Sequence, residues 1–183
     1  MTPRIYTKTG DDGTTGLLYG GRVSKDSRQI DINGVVDEAQ AALGVARAES
    51  EPGSELNERL IVLARQLYVL MAEVATAPAN RHKLKPGASL VTQEMVDELE
   101  RGIDDLLERF EMPSDFTIPG VNKRAAALDF ARTIVRRAER LAVTEKVDGS
   151  LVCPYLNRLS DLLWAMARWQ EGPEHMLSRD VPG

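Results

Sequence analysis

Only one cysteine, Cys153, occurs in 183 residues, so no internal disulfide can staple the chain. Histidine is nearly as scarce. His82 and His175 both fall in segments that read as loops, which makes neither a good catalytic candidate. The Glu-x-x-His pairs of a di-iron helical bundle are missing, so no metal site built from protein ligands is expected. Aromatic residues are only 5% of the chain, and a core drawn largely from alanine and leucine should be helical. No apolar run approaches the length that crosses a bilayer, and nothing at the N-terminus resembles a signal peptide. A reduced, cytoplasmic compartment without a membrane partner is therefore expected. The net charge of −5 argues against nucleic acid as the main partner.

That total conceals an asymmetry. Residues 29–122 hold eight Lys/Arg against seventeen Asp/Glu, whereas residues 123–146 hold seven against three. The positive charge is concentrated in Arg132-Thr133-Ile134-Val135-Arg136-Arg137-Ala138-Glu139-Arg140. Arg132, Arg136 and Arg140 stand at i, i+4 and i+8 and share one helical face. Like charges at that spacing weaken an isolated helix. A fold tolerates them best where an anion lies against the face, and guanidinium forks match phosphate oxygens. A polyphosphate ligand is the first expectation.

Five amphipathic segments give the architecture. They run from about Gln29 to Glu49, from Ser54 to Thr76, from an N-cap at Thr92 through Phe110, from beyond Gly120 to about Lys146, and from a first turn containing Pro154. Loops are marked by Glu51-Pro52-Gly53, by Pro78 to Gly87 and by Asp148-Gly149-Ser150. Such helices with short connections predict an all-α fold, an up-down five-helix bundle, in one domain over residues 1–183. Residues 29–170 would form the bundle and residues 171–183 a tail.

The first 28 residues do not share this periodicity. Thr7-Lys8-Thr9-Gly10-Asp11-Asp12-Gly13-Thr14-Thr15-Gly16 supplies glycines, hydroxyls and a lysine. Glycine lets backbone N–H groups turn toward an anion, and hydroxyls add donors or help hold Mg²⁺. The P-loop of NTPases is excluded, because no Gly-Lys-Ser/Thr follows. A flexible tail is the competing reading. Plain readings also stand beside other candidates. Asp37 and Glu38 read as surface charge, with Asp37 alternatively paired to an arginine of the basic helix. Asn157 to Asp161 reads as a solvated helix face, Phe116 as a plug at a helix entrance, and Cys153 as packing filler.

Taken in order, Thr7 to Gly13, Gly21-Arg22-Val23-Ser24-Lys25-Asp26, Phe116-Thr117-Ile118-Pro119-Gly120, Arg132 to Arg140, and Tyr155-Leu156-Asn157-Arg158-Leu159-Ser160-Asp161 resemble the PduO-type ATP:cob(I)alamin adenosyltransferases. The resemblance runs from Ile5 to about Arg168. It implies a ferritin-like bundle assembled as a homotrimer with active sites between subunits, preceded by an ordered ATP-binding loop within residues 1–28. It implies transfer of the 5′-deoxyadenosyl group of ATP to the cobalt of cobalamin as substrate, with Mg²⁺, giving adenosylcobalamin and triphosphate. A reductase supplying the electron to Co(II) and a cobalamin-dependent mutase receiving the product are the implied partners.

By the same resemblance, Thr7, Lys8, Thr9, Gly10, Thr15 and Lys25 would wrap ATP. Arg136, Arg137, Glu139, Arg140 and Asn157 would contact it from two helices. Arg132 would pair with Asp37 across a subunit boundary. Phe116 would face the corrin ring and keep the dimethylbenzimidazole tail off cobalt. Co(I) is itself a potent nucleophile, which agrees with a basic site that has no evident general base. Two departures stand out. Val121 and Asn122 occupy positions where the family often has a second glycine, and Tyr68 and Trp164 stand where phenylalanine is expected, a change expected to alter packing only. A non-catalytic cobalamin escort would keep Phe116 without needing the triphosphate site. A nucleotide-binding regulatory bundle would need the arginines but have no use for Phe116.

Overall fold

In a computed structural model the described residues are 5–173 and 175–180, and they are mostly helical. Five α-helices follow a two-stranded hairpin: α1 Arg28–Ala48, α2 Glu55–Val74, α3 Gln93–Leu107, α4 Lys123–Thr144 and α5 Val152–Glu171. Each coincides, within a few residues at either end, with a segment expected from apolar periodicity. Short 3-10 turns occupy Pro78–Lys83 and Ser178–Asp180. The first of these replaces the plain loop expected after α2, with Pro78 opening a turn whose ring already has a suitable φ.

Helix α4 packs extensively on α5 and on α1, while α2 lies against α1 and α3 against α5. Both α1 and α4 bury small residues, Ala39, Ala42 and Ala46 on the first and Ala127, Ala131, Ala138 and Ala142 on the second. Alanines let two helix backbones approach closely. The basic face of α4 is thereby carried on a firmly packed helix.

Local chemistry sets the helix starts. Ser54 accepts a hydrogen bond from Asn57 N at 3.3 Å and Thr92 accepts one from Met95 N at 3.3 Å. Asn122 Oδ1 accepts one from Ala125 N at 2.9 Å, and its amide donates to Gln170 O at 2.8 Å. Asn122, one of the departures from the family pattern, thus caps α4 and ties it to the end of α5.

The hairpin pairs β1 (Thr14–Gly16) with β2 (Arg22–Ser24), with Thr15 opposite Val23. Leu18 N donates to Ala75 O at 2.9 Å and Asn80 donates to Gly20 O at 3.3 Å, docking the hairpin on the end of α2. These residues are thus hydrogen-bonded to the bundle, which a flexible tail would not be.

Glu73, in the last turn of α2, is 1% exposed and binds three segments. Its Oε1 accepts from Arg81 at 2.8 Å and from Ser150 at 2.6 Å, and its Oε2 accepts from Val91 N at 2.8 Å. Removing one partner of a buried, hydrogen-bonded pair costs about 3–5 kcal/mol. Glu73→Ala should lower stability by that amount in urea unfolding, and an unchanged midpoint would show the network to be dispensable.

Candidate active site

The α4 arginines are not equivalent. Arg137 is ion-paired to Glu38 of α1. Arg132 is half-buried, and its Nε lies 3.2 Å from Asp129 Oδ1. Arg136 and Arg140 are exposed and have no hydrogen-bond or ion-pair partner among the described residues. Two unpaired guanidinium groups one turn apart repel each other and attract an anion. Beside them, Glu139 Oε1 accepts a hydrogen bond from Asn157 Nδ2 at 2.9 Å, joining α4 to α5. Arg158 holds the other end of the Asn157 amide and lies 2.8 Å from Glu100 of α3. The segment from Asn157 to Asp161 is therefore more than a solvated face, and Ser160 is buried.

The N-terminal loop is folded around its own polar groups. Arg22 donates to Thr9 O at 2.6 Å and to Thr14 Oγ1 at 2.6 Å. Lys25 N donates to Gly13 O at 2.9 Å. A Cβ on Gly10 would stand 3.0 Å from Thr14 O and 3.1 Å from Lys25 Nζ, so a larger residue would press on both. Thr7 and Thr9 are exposed, with their hydroxyls 2.8 Å apart.

A third group surrounds an open cavity of about 530 Å³ lined by Phe116, Thr117, Asp129, Arg132, Trp164 and Arg168. Phe116 is 84% exposed, so it is not a plug at a helix entrance. Trp164 also lines this cavity. The loop carrying Phe116 is held from the C-terminal side: Ile118 N donates to Met176 O at 2.8 Å and Ser178 N to Phe116 O at 2.8 Å.

The structure therefore joins Glu139 to Asn157 directly and places Arg136 and Arg140 on the same helix. It places Arg132 at the cavity that Phe116 lines. Among the described residues of one chain there is no hydrogen bond or ion pair from Thr7, Lys8, Thr9, Thr15 or the Lys25 side chain to the α4 arginines, and the exposed Asp37 side chain has no partner among them. Sequence reasoning missed Asp129, Arg168 and Glu171, whose charges are buried together. A buried arginine near a helix end carries no periodic signature. Burial, and Glu139 second, hold the Cys153 thiol above its ordinary pKa, which does not suit a nucleophile. Among the described residues no group of three or more His, Cys, Asp and Glu could hold a metal ion.

Residues 5–170 match the family model described as cobalamin adenosyltransferase. A corrinoid adenosyltransferase of Citrobacter freundii is 38% identical over 171 residues, spanning 92% of this chain and 95% of its own. A corrinoid adenosyltransferase of Bacillus subtilis is 39% identical over 173 residues, spanning 90% and 85%. Among solved structures, a variant PduO-type ATP:corrinoid adenosyltransferase from Lactobacillus reuteri, complexed with cobalamin and ATP, aligns with a TM-score of 0.83. Its sequence is 28% identical, and the alignment covers 98% of both chains.

Proposed function

The chain belongs to the cobalamin adenosyltransferase family, and we infer that it transfers the 5′-deoxyadenosyl group of ATP to the cobalt of cob(I)alamin, giving adenosylcobalamin and triphosphate. It is a corrinoid adenosyltransferase. The observation that carries this is full-length similarity to corrinoid adenosyltransferases, and the chain's own chemistry agrees with it. Cob(I)alamin is the nucleophile, so the protein need only hold C5′ of ATP in line and stabilise the departing triphosphate. Unpaired Arg136 and Arg140 suit that anion. Arg137 can exchange Glu38 for phosphate at little cost, because exposed ion pairs are worth about 0–1 kcal/mol.

Glu139 and Asn157 would meet the nucleoside end of ATP, and Thr7, Lys8, Thr9, Gly10, Thr15 and Lys25 would close over it. Mg²⁺ keeps most of its octahedral oxygens from phosphate and water, so the Thr7 and Thr9 hydroxyls are donors enough to fit it. When bound, Mg²⁺ would neutralise phosphate charge.

We read the five helices as an up-down bundle that assembles as a homotrimer, with each site completed by a neighbouring copy. Two features support this: among the described residues no hydrogen bond or ion pair joins the N-terminal loop to the α4 arginines within one chain, and none engages the Asp37 side chain. Exposed Val45 on α1 and exposed Phe130 and Val143 on α4 lie on the same two helices and are suited to an interface. Asp37 would then meet Arg132 of a neighbour. Asp37→Asn should loosen the assembly or lower turnover by about 10-fold, since a charge-assisted bond contributes roughly 1.5–3 kcal/mol. Sedimentation and activity both equal to wild type would refute the pairing.

No helix among the described residues is long and apolar enough to cross a membrane. A cytoplasmic reductase delivering an electron to Co(II), and a cobalamin-dependent mutase taking the product, complete the proposal. The direct test is an anaerobic assay with ATP, Mg²⁺ and chemically reduced cob(I)alamin. ATP-dependent loss of the Co(I) absorbance with release of triphosphate is expected. ATP binding with persistent Co(I) would favour an escort or regulatory role instead.

A further inference from the structure

Arg168 of α5 is 1% exposed, yet it is a full positive charge placed in the core. Burying a charge is costly unless its hydrogen-bonding groups are matched, and an apolar side chain of similar volume serves stability as well or better. What distinguishes Arg168 is which groups it joins. One terminal nitrogen donates to Thr117 Oγ1, next to Phe116. The other lies 2.5 Å from Asp129 Oδ2 and 2.9 Å from Glu171 Oε1. The second oxygen of Asp129 takes Arg132 Nε at 3.2 Å. Glu171 Oε2 is 2.9 Å from His175 Nδ1. The guanidinium carbon also sits 5.7 Å from the centre of the Trp164 ring.

A single planar group thus grips the Phe116 loop with one nitrogen and the helix bearing Arg132 with the other. We propose that Arg168 is a positioning residue for adenosyl transfer: it fixes Phe116 through Thr117, and Arg132 through Asp129, so that the two sides of the corrinoid cavity keep one spacing. Lysine cannot reproduce this, because its single ammonium lacks the fork that holds two directions at once. The tail contributes by pairing its backbone to the same loop, and His175 closes the far end of the charge network. The inference rests on the assignment of Phe116 to the corrinoid.

The test uses Thr117→Val, which removes only the hydroxyl that Arg168 grips, together with Arg168→Lys. Turnover, KM for ATP, thermal midpoint and the electron paramagnetic resonance of bound Co(II) corrinoid are measured for each. Thr117→Val should lower the thermal midpoint by a few degrees, because a buried N–H of Arg168 loses its acceptor, and keep its KM for ATP while kcat falls about 10-fold, the scale expected when a reacting partner is slightly misplaced. The fraction of Co(II) lacking a lower axial ligand should fall with it. Arg168→Lys should show the same signature more strongly.

Wild-type kcat and an unchanged Co(II) spectrum in Thr117→Val would overturn the proposal. So would a lowered midpoint as the sole effect in both variants, which would make Arg168 structural only. Phe116→Ala, run in parallel, separates the two levels. If it matches wild type, the corrinoid assignment fails and takes the proposal with it; if it alone is impaired, only the role of Arg168 fails.

Discussion

Arg136→Ala should raise KM for ATP and cut turnover, with kcat/KM falling roughly 10- to 100-fold, because a hydrogen bond to a charged group contributes about 1.5–3 kcal/mol. The loss should appear in both parameters if Arg136 meets the triphosphate before and during its departure. Arg136 is an exposed guanidinium without a partner among the described residues, so its removal breaks no bond among them. Stability should even rise slightly, since one like-charge neighbour of Arg132 and Arg140 disappears. Arg136→Lys should recover part of the affinity, because a point charge replaces the bidentate fork. Arg101, paired with Glu94 at 2.6 Å on the exposed face of α3, is the control, and Arg101→Ala should leave KM for ATP unchanged. Wild-type kinetics in Arg136→Ala would sink the phosphate role.

This opposition of stability and affinity also explains why the arginine face was readable in advance. A row of like charges at helical spacing is conspicuous in a sequence because it works against the helix that carries it. The apolar stripes were legible for a related reason. Leu56, Leu60, Leu63, Leu67 and Leu70 repeat at helical intervals and are all buried on α2. Thr92 announced its helix because a hydroxyl before an amphipathic run satisfies a free backbone N–H.

Features that depend on distant partners left no such trace. Glu73 reads as one acid at the end of an apolar helix, and only the fold brings Arg81, Val91 and Ser150 around it. Arg168 and Glu171, three residues apart, look like a surface pair until Asp129, from another helix, joins them in the core. The hairpin was missed because strands of three residues are too short to show alternation. Asp37 is a further case: its proposed partner lies on another molecule, so neither one sequence nor one folded chain displays the contact.

Phe116→Ala should bind ATP normally yet lose most turnover, with kcat falling roughly 100-fold, the scale at which misplacing a reacting group is felt. The expectation follows from an imbalance in the free protein. Phe116 is 84% exposed, although fully burying such a side chain is worth about 1.5–3 kcal/mol. Its ring contributes little to folding, so the variant should melt close to wild type. The apolar surface is instead available to a ligand, and on our reading that ligand is the lower face of the corrin. There an uncharged wedge can displace the dimethylbenzimidazole ligand without replacing it. Losing that donor makes Co(II) easier to reduce to the Co(I) nucleophile, which is chemistry that no acid or base could supply. Alanine is too short to occupy the position, so the cobalt of the bound Co(II) corrinoid should keep its lower ligand. Phe116→Leu should fall between the two. KM for ATP should move by less than about two-fold in both, because the wedge acts on cobalt and the arginines on phosphate. A five-coordinate spectrum in wild type and variant alike would remove the wedge from the mechanism. Loss of turnover with a wild-type spectrum would reassign Phe116 to holding the corrin in place.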